Sequence, residues 1–133
     1  MTKPKDFLQE ARALLGGATT EIRRRTIVGR AYYAAYHFLL SHSCTDGFKA
    51  YRAEADTGRH KALIDFLSKS QDRVVQHCGR TLSTLFSRRR KADYTLEKSI
   101  SITEAKDTVE LAEELIEGTL EELKAAKKGK SAS

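Results

Sequence analysis

The stretch Thr26-Ile27-Val28-Gly29-Arg30-Ala31-Tyr32-Tyr33-Ala34-Ala35-Tyr36-His37-Phe38-Leu39-Leu40 decides the fold. Ile27, Val28, Ala31, Tyr32, Ala35, Leu39 and Leu40 recur at helical spacing and so share one broad face, where a strand would alternate. The pattern predicts a long helix from about Thr20 to His42. Upstream, Pro4 suits a first turn and Gly16-Gly17 a stop, which predicts a helix over Pro4 to Leu15.

Downstream the period breaks. Ser43 to Gly58 contains Asp46-Gly47 and Thr57-Gly58 and reads as a loop, with room for one short helical turn. A third helix over Arg59 to Lys69 would bury Leu63, Phe66 and Leu67, with Ser70-Gln71-Asp72 as turn and cap. Val74, Val75, Cys78, Leu82, Leu85 and Phe86 stripe a fourth helix that runs on to about Tyr94. Ser101-Ile102-Thr103-Glu104 matches a capping box and opens a fifth, over Ile102 to Ala126, with Ala105, Val109, Ala112, Ile116 and Leu123 on one face. Residues 1–126 are therefore expected to form one all-α domain, an up-and-down antiparallel bundle of four to five helices. Residues 127–133 are expected to be a flexible basic tail that frays.

A chain of 133 residues can bury a core without disulfides or a structural metal, and one Pro and eight Gly, with abundant Ala, Leu, Glu, Lys and Arg, favour helix over sheet. No apolar run approaches the ~18 residues of a membrane span. The segment Met1-Thr2-Lys3-Pro4-Lys5 lacks the apolar core of a secretory signal. Cys44 and Cys78 show neither metal-binding nor redox spacing, as in a reducing compartment. A cytoplasmic protein without a metal or cofactor is the expectation.

Lys plus Arg outnumber Asp plus Glu by 24 to 18, a net charge of +6. The excess is blocky: Arg23-Arg24-Arg25, Arg88-Arg89-Arg90-Lys91, and the tail from Lys124 to Lys130. Glu104, Asp107, Glu110, Glu113, Glu114, Glu117, Glu121 and Glu122 make the last helix acidic. Basic blocks on a small domain fit an RNA, DNA or nucleotide phosphate partner. They equally fit a solvated surface, or pairing between the acidic helix and the basic blocks.

Three segments carry a family resemblance: Gly29-Arg30-Ala31-Tyr32-Tyr33-Ala34-Ala35-Tyr36-His37, then Gly58-Arg59-His60-Lys61-Ala62-Leu63-Ile64, then Leu85-Phe86 with Arg89-Arg90-Lys91-Ala92-Asp93-Tyr94. Together, across about residues 5 to 123, they resemble the branch of the HEPN family found beside small nucleotidyltransferases, with its Arg-Ala-Tyr-Tyr-Ala and Arg-x-x-Ala-Asp-Tyr signatures. The resemblance implies a helical bundle that forms a homodimer, a small nucleotidyltransferase partner, and either RNA cleavage or nucleotide binding. The reading it favours is the toxin-like half of a prokaryotic toxin–antitoxin or defence pair, cutting RNA phosphodiesters without a metal. The alternative is a non-catalytic module that docks a nucleotidyltransferase or nucleotide.

In HEPN ribonucleases an Arg and a His lie four to six residues apart, the His moving a proton and the Arg holding the charged phosphorane. Here no His follows Arg89. Asp93 and Tyr94 stand in its place, so Arg89, Asp93 and Tyr94 are the catalytic candidates, Tyr94 also as a site of nucleotidyl modification. Arg30 and His37, with six residues between them on the second helix, form a second candidate pair. Arg88, Arg90 and Lys91 are the candidate RNA-binding cations. Arg89 is four residues from Asp93, and Arg90 four from Tyr94, spacings at which they would pair along the helix. Arg30 is expected to reach Asp93 across the bundle as a buried pair. The tyrosines of the second helix read as a base-stacking platform or, more plainly, as core and dimer-interface fillers. His60, near a helix start, reads as a capping or packing residue.

Overall fold

The structure is a computed structural model. It describes residues 1–17, 20–43, 47–49, 51 and 58–132, the side chains of 43, 123, 124 and 126–132 excepted. Five helices have defined bounds: α1 Pro4–Leu15, α2 Glu21–Ser43, α3 Arg59–Ser68, α4 Arg73–Tyr94 and α5 Ile102–Ala132. The expected all-α bundle is what forms. Cys44 and most of the stretch read as a loop lie outside the described residues, although Phe48 within it is buried.

Local chemistry explains the helix starts. The Asp72 side chain accepts from the backbone N–H of Val74 at 2.8 Å and of Val75 at 3.4 Å, satisfying donors that α4 cannot use. Thr20 does the same for the N–H of Arg23 at 3.3 Å, and Ser101 for that of Glu104 at 3.0 Å. The Glu104 carboxylate turns to Lys91 on α4, 3.1 Å away. α5 runs on to Ala132, past the end expected near Ala126.

α2 is the hub. It packs on α1, α4 and α5, while α3 lies along α4. Ala31, Tyr32, Ala34, Ala35, Tyr36, Phe38 and Leu39 are all buried, more of the helix circumference than a one-sided stripe would cover. Cross-helix contacts set the register. Cys78 Sγ meets Thr119 Oγ1, Arg88 meets Thr108 and Lys91 meets Glu104, so α4 and α5 run antiparallel. Phe86 stacks on His60 near the start of α3, while Gly79 lies against Ser68 at its end. A Cβ on Gly79 would stand 2.6 Å from Ser68 Oγ and 2.7 Å from Ser68 N, and its absence permits the close α3–α4 approach.

The basic run Arg23-Arg24-Arg25 joins elements together. Arg23 donates to the Gly17 carbonyl at 2.9 Å and Arg24 to that of Ile100 at 2.6 Å. Arg25 is 7% exposed and donates to the carbonyls of Lys91, Ala92, Thr95, Leu96 and Lys98, with Glu21 on its other edge. Its fork thus caps the C-terminal pole of α4 from another helix, where orphan carbonyls and the helix dipole favour a cation.

Candidate functional site

α4 presents Phe86, Arg89 and Asp93 at three- and four-residue steps, so they share a face, and that face meets the tyrosines of α2. The Arg89 guanidinium lies 5.8 Å from the Tyr32 ring centre and 5.5 Å from that of Tyr33. Its Nε donates to Asp93 Oδ2 at 2.8 Å and its Nη2 to Tyr33 Oη at 3.4 Å. With 16% of its side chain exposed, Arg89 is a largely inward-held cation.

Two histidines complete the cluster. His60, on the first turn of α3, places Nδ1 2.5 Å from Tyr32 Oη, and its ring stacks on Phe86 and meets Tyr36 at 4.3 Å between centres. His37 of α2 stacks on Phe7 of α1 at 5.5 Å and 14°, and on Tyr33 at 5.8 Å and 20°. Rings thus wall the site, and Arg89, Arg59 and the two imidazoles supply its polarity.

Burial and charge act together on these groups. Burial, then Arg89, Arg59 and His37, hold His60 below the ordinary imidazole range. Burial followed by Arg59 does the same to His37. Burial, reinforced by Tyr36, pushes the Tyr32 phenol up, so it stays protonated. Near neutral pH the site holds two uncharged imidazoles in the field of two guanidinium groups.

The structure redistributes the sequence candidates. Arg89 and Asp93 pair as expected. Tyr94 does not join them: it is 69% exposed and faces away, in keeping with five residues at ~100° each. Instead it lines a pocket of about 410 Å³ with Ser87, Arg90, Lys91, Thr95 and Lys98. Arg88 donates to Thr108 at 3.1 Å and Lys91 is held by Glu104, so both lean on α5. Arg90 lies over the Phe86 ring at 5.9 Å, one turn back along α4, whereas the Tyr94 ring expected to receive it is one turn ahead.

The expected buried Arg30–Asp93 pair does not form. Arg30 is exposed and shares only a shallow cleft with Asp93, whose carboxylate is taken by Arg89. The buried arginine of α2 is Arg25, because the open carbonyls at the end of α4 demand a multidentate donor. Arg30 and His37 do not meet either: the ring contacts of His37 are with Phe7, Tyr33 and Tyr36. Sequence spacing missed His60 as a site residue, and Phe7 and Arg59 with it. These converge only once α1, α3 and α4 have packed on α2. Among the described residues no three His, Cys, Asp or Glu side chains are grouped to hold a metal, and no helix is long and apolar enough to cross a membrane.

No family model matches this chain, and no solved structure does. It is similar to the uncharacterized protein MJ0628 of Methanocaldococcus jannaschii, with 29% identity over 123 residues that span 83% of this chain and 74% of that protein.

Proposed function

We propose that this chain is a HEPN-type, RNA-directed domain, the toxin-like partner of a small nucleotidyltransferase, and that it cleaves RNA phosphodiesters without a metal. The observation that carries the reading is the meeting of Arg89 with two uncharged histidines on one tyrosine wall. His37 meets its neighbours through ring contacts, and no hydrogen bond to its ring nitrogens occurs among the described residues. An uncharged imidazole nitrogen is a proton acceptor suited to neutral pH. It takes the ribose 2′-hydroxyl proton as the 2′-oxygen bonds to phosphorus. The bond from phosphorus to the 5′-oxygen breaks, water protonates that oxygen, and a 2′,3′-cyclic phosphate and a 5′-hydroxyl result. Arg89 stabilises the charge that builds on the phosphorane.

The non-catalytic reading draws on a different observation, the Asp93 carboxylate already lying 2.8 Å from Arg89 Nε. RNA must displace that carboxylate, whereas a docking module need not. The apolar surface for a second copy or a nucleotidyltransferase is Ile22, Tyr94 and Leu96, each about 70% exposed where α2 begins and α4 ends. Tyr32 and Tyr36 do not serve there, since a single copy buries both.

Purified protein incubated with a synthetic single-stranded RNA in excess chelator tests the choice. Cleavage to cyclic-phosphate ends, lost in both His37→Ala and Arg89→Ala, is the expected result. A folded wild type that binds the RNA and leaves it intact, with or without the nucleotidyltransferase, would remove the catalytic reading.

A further inference from the structure

A buried phenol must send its proton somewhere. Tyr32 is fully enclosed, and the hydrogen bond its hydroxyl makes among the described residues is the 2.5 Å contact with His60 Nδ1. Two arrangements satisfy that distance. If Nδ1–H donated to the phenol oxygen, the phenol proton would be left buried without an acceptor, at a cost of about 1–3 kcal/mol. If the phenol donates to Nδ1, every buried polar atom of the pair is satisfied, and the imidazole carries its single proton on Nε2.

Protonating His60 would undo this arrangement, because Nδ1 could then no longer accept. The groups that face the ring from neighbouring elements also oppose a second positive charge: Arg89 on α4, Arg59 beside it on α3, and His37 on α2. Phe86 and Tyr36 cover the ring faces. What His60 still offers a ligand is its Nε2–H.

We infer that His60 is an uncharged donor, fixed in the Nε2–H tautomer by Tyr32, and that its Nε2–H and the Arg89 guanidinium form a two-donor cradle for one phosphodiester group. The ligand class rests on the function proposed above; the tautomer stands on the geometry alone. Arg89 and His60 both flank the Tyr32 ring, at 5.8 Å and 5.5 Å from its centre, and the ring of Tyr33 as well. Tyr32 is then a positioning residue. It touches no ligand and acts by deciding which nitrogen of His60 is a donor.

Nitrogen NMR on the full chain labelled with ¹⁵N-histidine tests both halves. At pH 7.5 the His60 signals should show the neutral Nε2–H tautomer, and Tyr32→Phe should release the ring into a tautomer mixture. The probe is the deoxydinucleotide dTpdT, which carries one phosphodiester and cannot be cleaved for want of a 2′-hydroxyl. Its addition should shift the His60 Nε2–H resonance. His60→Ala should weaken its binding about tenfold, the loss of one hydrogen bond, while His60→Gln, which keeps a donor, should retain most of it. A His60 ring that is charged or protonated on Nδ1 at pH 7.5 overturns the tautomer. No binding of dTpdT, binding without an Nε2 shift, or an equal loss in His60→Gln and His60→Ala overturns the cradle. If dTpdT shifts Nε2 but no RNA is ever cut, the cradle stands and the cleavage reading fails.

Discussion

At the residue scale, His60 carries a pH signature that stability measurements can read. Burial first, and then Arg89, Arg59 and His37, lower its affinity for a proton in the folded chain; burial and Arg59 do the same for His37. Unfolded, both imidazoles take up a proton near ~6.5. Between that value and their lower folded values, the unfolded chain binds more protons than the folded one. Stability must therefore rise with pH through this window and be lost as pH falls below about 6.5. Urea unfolding should show a lower midpoint at pH 5.5 than at pH 7.5, and His60→Gln should shrink the difference. An unchanged difference in that variant would mean His60 has no part in it. None of this was legible from spacing. A His near a helix start has no sequence neighbour that reveals a phenol 28 positions earlier.

At the element scale the sequence was far more informative. The stripe from Ile27 to Leu40 and the Ser101 cap marked α2 and the start of α5 because helical period and capping are local properties. Two things escaped. The residues from Lys127 to Ala132 include no proline to halt the helix, and α5 continues through Gly129 to Ala132. The triple-arginine block looked like surface charge, yet Arg25 closes the open end of α4. Arg25→Ala should leave those carbonyls unpaired and cost on the order of 3 kcal/mol, and Arg25→Lys should recover only part, since a point charge cannot span them. Chemical denaturation checks both; an Arg25→Ala variant as stable as wild type would exclude the capping role. Glycines divide in the same way. Gly79→Ala must push against the backbone of α3 and should destabilise by about 1–3 kcal/mol. Gly118, whose Cβ would meet nothing within 4 Å, should gain about 0.5–1 kcal/mol on substitution by Ala.

At the scale of the whole molecule, the net charge of +6 overstates what an RNA can reach. Arg23, Arg24 and Arg25 are directed at carbonyls of this chain, and Arg88 and Lys91 are held by Thr108 and Glu104. Arg90 and Lys98 are exposed and border the same pocket as Tyr94, while Arg89 waits behind Asp93. Binding to single-stranded nucleic acid releases counterions in proportion to the phosphates neutralised, with a slope near −0.7 per contact in log K against log salt. If the proposed RNA interaction occurs through this end of the bundle, Arg90→Ala and Lys98→Ala should each flatten that slope by about 0.7. Arg24→Ala should lower the thermal midpoint, since its bond to Ile100 ties α2 to the α4–α5 connection, and leave the slope alone. Fluorescence anisotropy on a labelled RNA across a salt series separates the two effects. A slope that falls with Arg24 and not with Arg90 would place the RNA on the first basic block and away from the Arg89 site altogether.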